Sequence, residues 1–331
     1  MSYSSFQSIF NEFNNLNALI IGDVMIDAYI WGKVERISPE APVPIIRATR
    51  RDYRLGGAAN VALNIQALGA SPIICSVIGD DDEGKRFINI LSERNITSAG
   101  IVVSSDRPTT VKTRLISANH HMVRVDEESE ENVNPQEQAA LLSKIGELLP
   151  KCDVVIFEDY DKGCINQEVI KYTVDLAKKN NIPTVVDPKK RNFMEYYGVT
   201  LFKPNLKELK EGLKIDFDVS NSADLEHAVA QLVSHLGCQG ALITLSENGV
   251  YITNGKGQHH VPAHIREIAD VSGAGDTVIG IAALCVALDL PSRIIAELSN
   301  LGGGLVCEHV GVVSIDKAQL LSEAEINIPF G

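Results

Sequence analysis

Runs of β-branched and other apolar residues recur along the chain at 18–22, 72–79, 153–159, 183–187, 200–205 and 240–245. Segments with helical spacing of apolar positions fall between them, at 57–68, 82–94, 135–149, 166–180 and 222–236. Strands that are apolar throughout are buried on both faces, and strand–helix alternation of this kind builds a parallel sheet with helices on either side. The expected fold class is therefore α/β, a three-layer sandwich around a mainly parallel sheet. Two stretches break the rhythm. One runs over about 33–55 and contains Ser38-Pro-Glu-Ala-Pro-Val-Pro44; the other, about 109–126, reads as paired strands around a polar turn. Neither is followed promptly by a helix, which predicts a small β-lid projecting from the sheet edge. With no tandem repeat, low-complexity tract or long linker, the expected organisation is one domain over 1–331 with the two lid segments inserted.

Composition narrows the setting. The 331 residues are 45% hydrophobic, ample for a sizeable core, and carry a formal net charge of −13. That balance argues against general affinity for nucleic acid or an anionic membrane, so an anionic ligand needs a locally basic site or a cluster of backbone N–H groups. Cys75, Cys152, Cys164, Cys238, Cys285 and Cys307 are scattered, form no C-x-x-C pair and mostly lie in apolar runs, which reads as reduced core thiols. The N-terminus shows no basic leader, and no window reaches the roughly 20 apolar residues of a membrane span. The expected location is the cytoplasm.

Two Gly-containing segments compete for attention. Gly79 to Lys85 has the spacing of a P-loop after a strand, but position 86 is arginine where a metal-binding hydroxyl is required. Asp80, Asp81, Asp82 and Glu83 would also repel phosphates, so the segment reads as an acidic helix N-terminus. Asp270-Val-Ser-Gly-Ala-Gly-Asp-Thr277 is different. Gly273, Ala274 and Gly275 let backbone approach a ligand, and the apolar helix that follows offers unpaired N–H groups at its positive end, an anion hole. Asp276, in the first turn, faces whatever the hole binds. Phosphoryl transfer to an alcohol needs such donors together with a base for the hydroxyl proton. A Gly-rich turn whose Asp merely caps a helix fits the same spacing.

The octapeptide resembles the C-terminal signature of the ribokinase-like (pfkB) carbohydrate kinases, and the resemblance extends along the whole chain. It implies a ribokinase-like sandwich and an ATP- and Mg2+-dependent sugar kinase, a phosphotransferase with an alcohol acceptor. By the resemblance Asp276 is the catalytic base, with Gly273, Ala274 and Gly275 as the anion hole. Gly56-Gly57-Ala-Ala-Asn60 is similar to the family's N-terminal Gly-Gly motif, where backbone and the Asn contact sugar. Asp23 and Asp27 follow the first strand, where these kinases place carboxylates on sugar hydroxyls; by themselves they read equally as turn residues. Asn205-Leu-Lys-Glu208 resembles the Asn-x-x-Glu motif that organises magnesium and phosphate partly through water, although Glu208 alone would pass for a surface helix residue. Thr244, Ser246, Glu247 and Gly249 match the segment carrying the nucleotide's ribose and phosphates, and Asn300 a position flanking adenine.

Within the family, Gly22 to Asp27, the Arg36-Ile-Ser-Pro-Glu-Ala-Pro-Val-Pro44 run, Gly56 to Asn60, Asp187-Pro-Lys189 and Asp270 to Gly280 look like the heptose 7-phosphate kinases of ADP-heptose synthesis for lipopolysaccharide. The implied reaction phosphorylates the anomeric hydroxyl of D-glycero-β-D-manno-heptose 7-phosphate to the 1,7-bisphosphate. No His-x-Gly-His signature appears, so no nucleotidyltransferase domain is expected. A phosphorylated acceptor calls for cations: Lys112, Arg114, Arg124, Lys162 and Lys189 are candidates, Arg114 and Lys189 foremost, and each also fits a solvated surface charge. Tyr29 and Trp31 suit either a sugar pocket or lid packing. His259, His260 and His264 lack zinc-pair geometry. A homodimer through the lid is expected, because exposed lid strands need covering. The rival readings are a related kinase acting on a fructose phosphate, ribose or a nucleoside, and a non-catalytic sugar or nucleotide sensor.

Overall fold

The computed structural model describes residues 3–330 except Asn119, Ser220, Lys256 and Ile265. The strands are β1 (Asn17–Gly22), β2 (Val24–Ile37), β3 (Pro44–Gly57), β4 (Ser71–Gly79), β5 (Ile101–Ser104), β6 (Val111–Ser117), β7 (His120–Glu127), β8 (Val154–Glu158), β9 (Thr184–Asp187), β10 (Leu201–Phe202), β11 (Gly240–Thr244), β12 (Val250–Thr253) and β13 (Gln258–Val261). The helices are α1 (Phe6–Glu12), α2 (Ala58–Ala67), α3 (Asp82–Glu93), α4 (Pro135–Leu148), α5 (Gln167–Lys179), α6 (Leu206–Leu213), α7 (Ser222–Leu236), α8 (Ala274–Ala287), α9 (Ser292–Val306) and α10 (Lys317–Asn327).

Nine strands form one sheet in the order β13-β12-β11-β10-β9-β8-β1-β4-β5, parallel from β11 to β5 and antiparallel at the β11–β12–β13 end. Its two faces bury separate cores. Ala18 and Ile20 of β1 face the side covered by α1, α2, α8, α9 and α10, while Leu19 and Ile21 face that of α4 to α7. The alternation is the strand's own period of two, and both faces are apolar because helices lie on each. Helix ends follow local chemistry. Asp81 caps α3 by accepting the Gly84 N–H at 2.6 Å, which is the acidic helix start the sequence indicated rather than a phosphate loop. The 200–205 run shortens to Leu201–Phe202 because Pro204 has no N–H to give and Asn205 caps α6.

The second sheet has the order β3-β2-β6-β7, with β2 and β6 parallel. Its long hairpin starts at Val24, well before residue 33, so Asp27, Tyr29 and Trp31 lie on a strand of this sheet rather than in a loop after β1. Arg54 and Arg114 flank the Tyr29 ring at 5.0 and 5.4 Å, and Arg50 covers Trp31 at 3.9 Å. All six cysteines are free and buried. No helix among the described residues is long and apolar enough to cross a membrane.

Candidate active site

The C-terminal ends of the parallel strands, where an α/β sheet presents its crevice, converge on the start of α8. Gly273 enters that helix at φ +80° and ψ 0°, a conformation that glycine adopts at little cost. Asp276 follows in the first turn and is 7% exposed. Its Oδ2 accepts from Asn60 Nδ2 at 2.6 Å and its Oδ1 from the Tyr160 hydroxyl at 3.0 Å. Burial and the nearby Asp187 carboxylate push the Asp276 carboxyl up, Asn60, Tyr160 and Lys203 pull it down, and the balance is about 6. A carboxylate so placed is ionised at neutral pH yet basic enough to accept a hydroxyl proton. On the next residue, Thr277 Oγ1 donates to Asn64 Oδ1 at 3.1 Å, and Asn64 Nδ2 donates to the Asn60 carbonyl at 3.0 Å. This buried link ties α2 to α8 and fixes Asn60 against Asp276.

Asn60 is delivered by a tight entry into α2. Gly57, at φ +59°, leaves no room for a side chain, since a Cβ would stand 2.4 Å from the Asp23 carbonyl oxygen. At Gly56 a Cβ would meet Asp27 Oδ2 at 2.3 Å. Asp23, expected at a sugar hydroxyl, instead clamps a loop: Oδ2 accepts the N–H groups of Tyr160 and Lys162 and Oδ1 that of Cys164, each at 3.0 Å. Through this clamp it holds Tyr160 in reach of Asp276. Asp27 is ion-paired with Arg114 across the neighbouring strands β2 and β6.

The cations expected to meet a distal phosphate have carboxylate partners. Lys112 lies between Asp126 (3.1 Å) and Glu128 (2.8 Å), and Lys162 between Glu128 (2.7 Å) and Glu130 (3.0 Å). Arg114 has Asp27. Lys189 donates to Glu208 at 2.9 Å and stands 3.9 Å from Asp187, and although burial opposes its charge, those two carboxylates hold its pKa above the ordinary lysine value. Asn205 and Glu208 form a reciprocal capping box: the Asn205 N–H donates to Glu208 Oε2 at 2.9 Å and the Glu208 N–H to Asn205 Oδ1 at 2.8 Å. Asn205 also bridges to Thr244 at the end of β11. Beyond it, Ser246 and Glu247 are exposed, and Gly249 turns at φ +83° where a Cβ would strike the Val261 carbonyl oxygen at 2.0 Å. Asn300 on α9 donates to the Pro262 carbonyl at 2.8 Å.

Four residues in or next to the site, the last of them outside its machinery, went unassigned in the sequence. Tyr160 donates to Asp276. Lys203 is 3% exposed, and its ammonium lies 2.8 Å from Asp187 Oδ2. The pair sits beneath the start of α8, for a Cβ on Gly275 would be 3.7 Å from Asp187 Oδ2 and 4.0 Å from Lys203 Nζ. Glu158, fully buried, ends β8 in register with Asp187 on β9. The available signal was position: Glu158 and Asp187 are carboxylates at the C-terminal tips of parallel strands.

The profile of the pfkB family carbohydrate kinases matches residues 15–318. The bifunctional protein HldE of Trichlorobacter lovleyi is 36% identical over 321 residues, covering 97% of this chain and 65% of the relative. HldE of Caulobacter vibrioides is 41% identical, with 93% of this chain and 63% of the relative covered. The chain thus spans about 65% of the length of such relatives. Among solved structures, the Y23D mutant of Escherichia coli phosphofructokinase-2 superposes with a TM-score of 0.77 at 17% identity, covering 93% of this chain and 98% of that one. An Arabidopsis thaliana ribokinase complexed with ribose and ATP gives 0.71 at 16%, covering 92% and 98%.

Proposed function

The chain belongs to the pfkB family of carbohydrate kinases, and on that premise we propose that it transfers the γ-phosphoryl group of ATP to the anomeric hydroxyl of D-glycero-β-D-manno-heptose 7-phosphate, giving the 1,7-bisphosphate for ADP-heptose and lipopolysaccharide core synthesis. The observation that carries the chemistry is the joint placement of Asp276, held by Asn60 and Tyr160, in the first turn of α8. The substrate rests on the sequence resemblance through Arg36 to Pro44 and on similarity to the HldE proteins over nearly the whole chain.

Asp276 takes the acceptor hydroxyl's proton, and Asn60 and Tyr160 keep its carboxylate in one orientation. The backbone around Gly273, Ala274 and Gly275, together with Lys203 below it, meets the negative charge of the transferred group. Ala274 N–H donates to the Val271 carbonyl at 3.3 Å, so the donors deeper in the first turn carry more of this work. Mg2+ brought with ATP supplies charge neutralisation between phosphates. Glu208 and Asn205, whose carboxylate and amide oxygens suit a hard cation, would hold it, mostly through water. Thr244, Ser246, Glu247, Gly249 and Asn300 line the nucleotide's path. Asp27, Gly56, Gly57 and Asn60 face the sugar, and Lys112, Arg114 and Lys189 reach its phosphate by exchanging carboxylate partners for it.

The second sheet is the lid of one kinase domain, in a reducing cytoplasm suited to six buried thiols. Its exposed Val34, Ile37, Val43, Val123 and Val125 give a second copy a surface to cover, forming a homodimer. ADP release measured with Mg-ATP across heptose 7-phosphate, fructose 6-phosphate, fructose 1-phosphate, ribose and adenosine tests the assignment. Turnover confined to the heptose phosphate is expected. Turnover with another acceptor alone discards the sugar and keeps the kinase, and silence with all five removes the enzymatic reading.

A further inference from the structure

Beneath the base lies a carboxyl group that the proposed mechanism does not use. Glu158 closes β8 between Gly22 of β1 and Asp187 of β9, is 0% exposed, and among the described residues neither of its carboxyl oxygens has a hydrogen-bond partner. Its place is tightly set, because a Cβ on Gly22 would stand 2.0 Å from the Glu158 carbonyl oxygen. The charged groups around it are the carboxylates of Asp187 and Asp276 and the ammonium groups of Lys203 and Lys189, with the Tyr160 hydroxyl beside Asp276. Neither ammonium is free to serve Glu158. Lys203 is 2.8 Å from Asp187 and Lys189 is 2.9 Å from Glu208, while Asp276 relies on the neutral donors Asn60 and Tyr160. An ionised Glu158 would be one more buried negative charge, next to two others and without a donor.

We propose that Glu158 works as a neutral acid, a positioning residue that must keep its proton while the phosphoryl group is transferred, and that losing this proton sets the alkaline limit of turnover. The inference rests on the kinase reading for its effect on rate. The physical reason is charge density: ionisation would place a fixed negative charge beside the pocket where anionic phosphate has to settle and the acceptor oxygen has to become nucleophilic. Burial, then Asp187 and Asp276, push the Glu158 carboxyl well above the usual carboxylate range, and Lys203 and Lys189 only partly oppose them. Once the protonated fraction falls, kcat drops about tenfold per pH unit.

The test compares wild type with E158Q, an isostere of the neutral acid, and E158D, which can still ionise. Two measurements are made: kcat against pH with Mg-ATP and heptose 7-phosphate, and the thermal midpoint against pH without ligands. E158Q is expected to keep kcat within threefold near neutrality and to lose the alkaline limb. Its midpoint should exceed that of wild type by a margin that widens as pH rises. A raised folded pKa gives wild type its full benefit only below the unfolded glutamate value of about 4.3, and that benefit is lost progressively up to the folded value. A constant margin, or a kcat loss above 100-fold in E158Q with E158D active, overturns the proposal. If no acceptor is turned over, the kinase reading fails, and the midpoint comparison still decides whether Glu158 is neutral. Should E158Q not fold, the infrared carbonyl band of a protonated carboxyl in wild type at about pH 8 decides the same point; its absence overturns the proposal.

Discussion

Removing one hydroxyl should shift the acid limb of the reaction. Tyr160→Phe deletes the donor that sits 3.0 Å from Asp276 Oδ1 and leaves the ring, with Lys189 5.3 Å from its centroid, in place. A hydrogen bond to an ionised group contributes about 1.5–3 kcal/mol. Because it stabilises only the carboxylate, its loss raises the Asp276 pKa by about 1–2 units at 1.36 kcal/mol per unit. Starting from about 6, the base then titrates near about 7–8. Near pH 7 the ionised fraction falls from roughly nine-tenths to between one-half and one-tenth, a two- to tenfold loss of kcat. The ratio of wild type to variant should widen below pH 6 and close as pH rises, a pattern that damaged folding would not produce. The assay is kcat at saturating acceptor and ATP across the acid range. Coincident acid limbs would refute the claim that Tyr160 tunes the base, and a uniform loss at all pH values would assign it to positioning alone.

Asp276→Asn should abolish the proton acceptor and lower kcat by about 10²–10⁴ with the thermal midpoint retained; full activity would remove Asp276 from the chemistry. Lys203→Met leaves Asp187 buried without its ammonium 2.8 Å away, so it should destabilise the fold by about 3–5 kcal/mol in chemical unfolding and cut turnover. Adding Asp187→Asn should restore most of the stability and little of the activity, whereas recovery of both would make the pair purely structural. Gly22→Ala forces a Cβ to within 2.0 Å of a carbonyl oxygen that its strand neighbour cannot withdraw, costing about 1–3 kcal/mol or more, read as a lowered unfolding midpoint.

The parts of this molecule that declare themselves in the sequence are those set by neighbours along the chain. Strands β1, β4, β8, β9 and β11 are mainly apolar runs, and their helices carry regular apolar spacing, so the layered α/β fold is written locally. The proposed anion hole is local too: Gly273 to Asp276 are consecutive, and Asn205 with Glu208 makes a box that spans four residues. What stays hidden depends on sheet order. Lys203 reaches Asp187 only because β10 pairs with β9, and Glu158 meets Asp187 only because β9 pairs with β8. Asp23 shows the converse limit. Its position after β1 is plain, but three backbone amides from residues 160–164 occupy its carboxylate, and no local pattern announces them. Arg114 and Lys189 likewise stand out as cations, while the acids they donate to, Asp27 and Glu208, lie 87 and 19 residues away in sequence.

The hairpin of β2 and β3 changes character along its length. From Ile26 to Gly32, β2 is braced by β6 on one side and β3 on the other; from Lys33 to Ile37 it has β3 alone, with irregularities in register at Trp31/Gly32 and Val34/Arg36. The outer portion is therefore a separable module. Because the pleat repeats every two residues, that arm can be lengthened or trimmed by matched residue pairs, one pair from each strand. Such edits leave Asp27 and its neighbours facing as they do now. Edits at the tip of this arm would therefore alter the Arg36 to Pro44 run and the exposed Ile37 and Val43 while Asp27 keeps its facing.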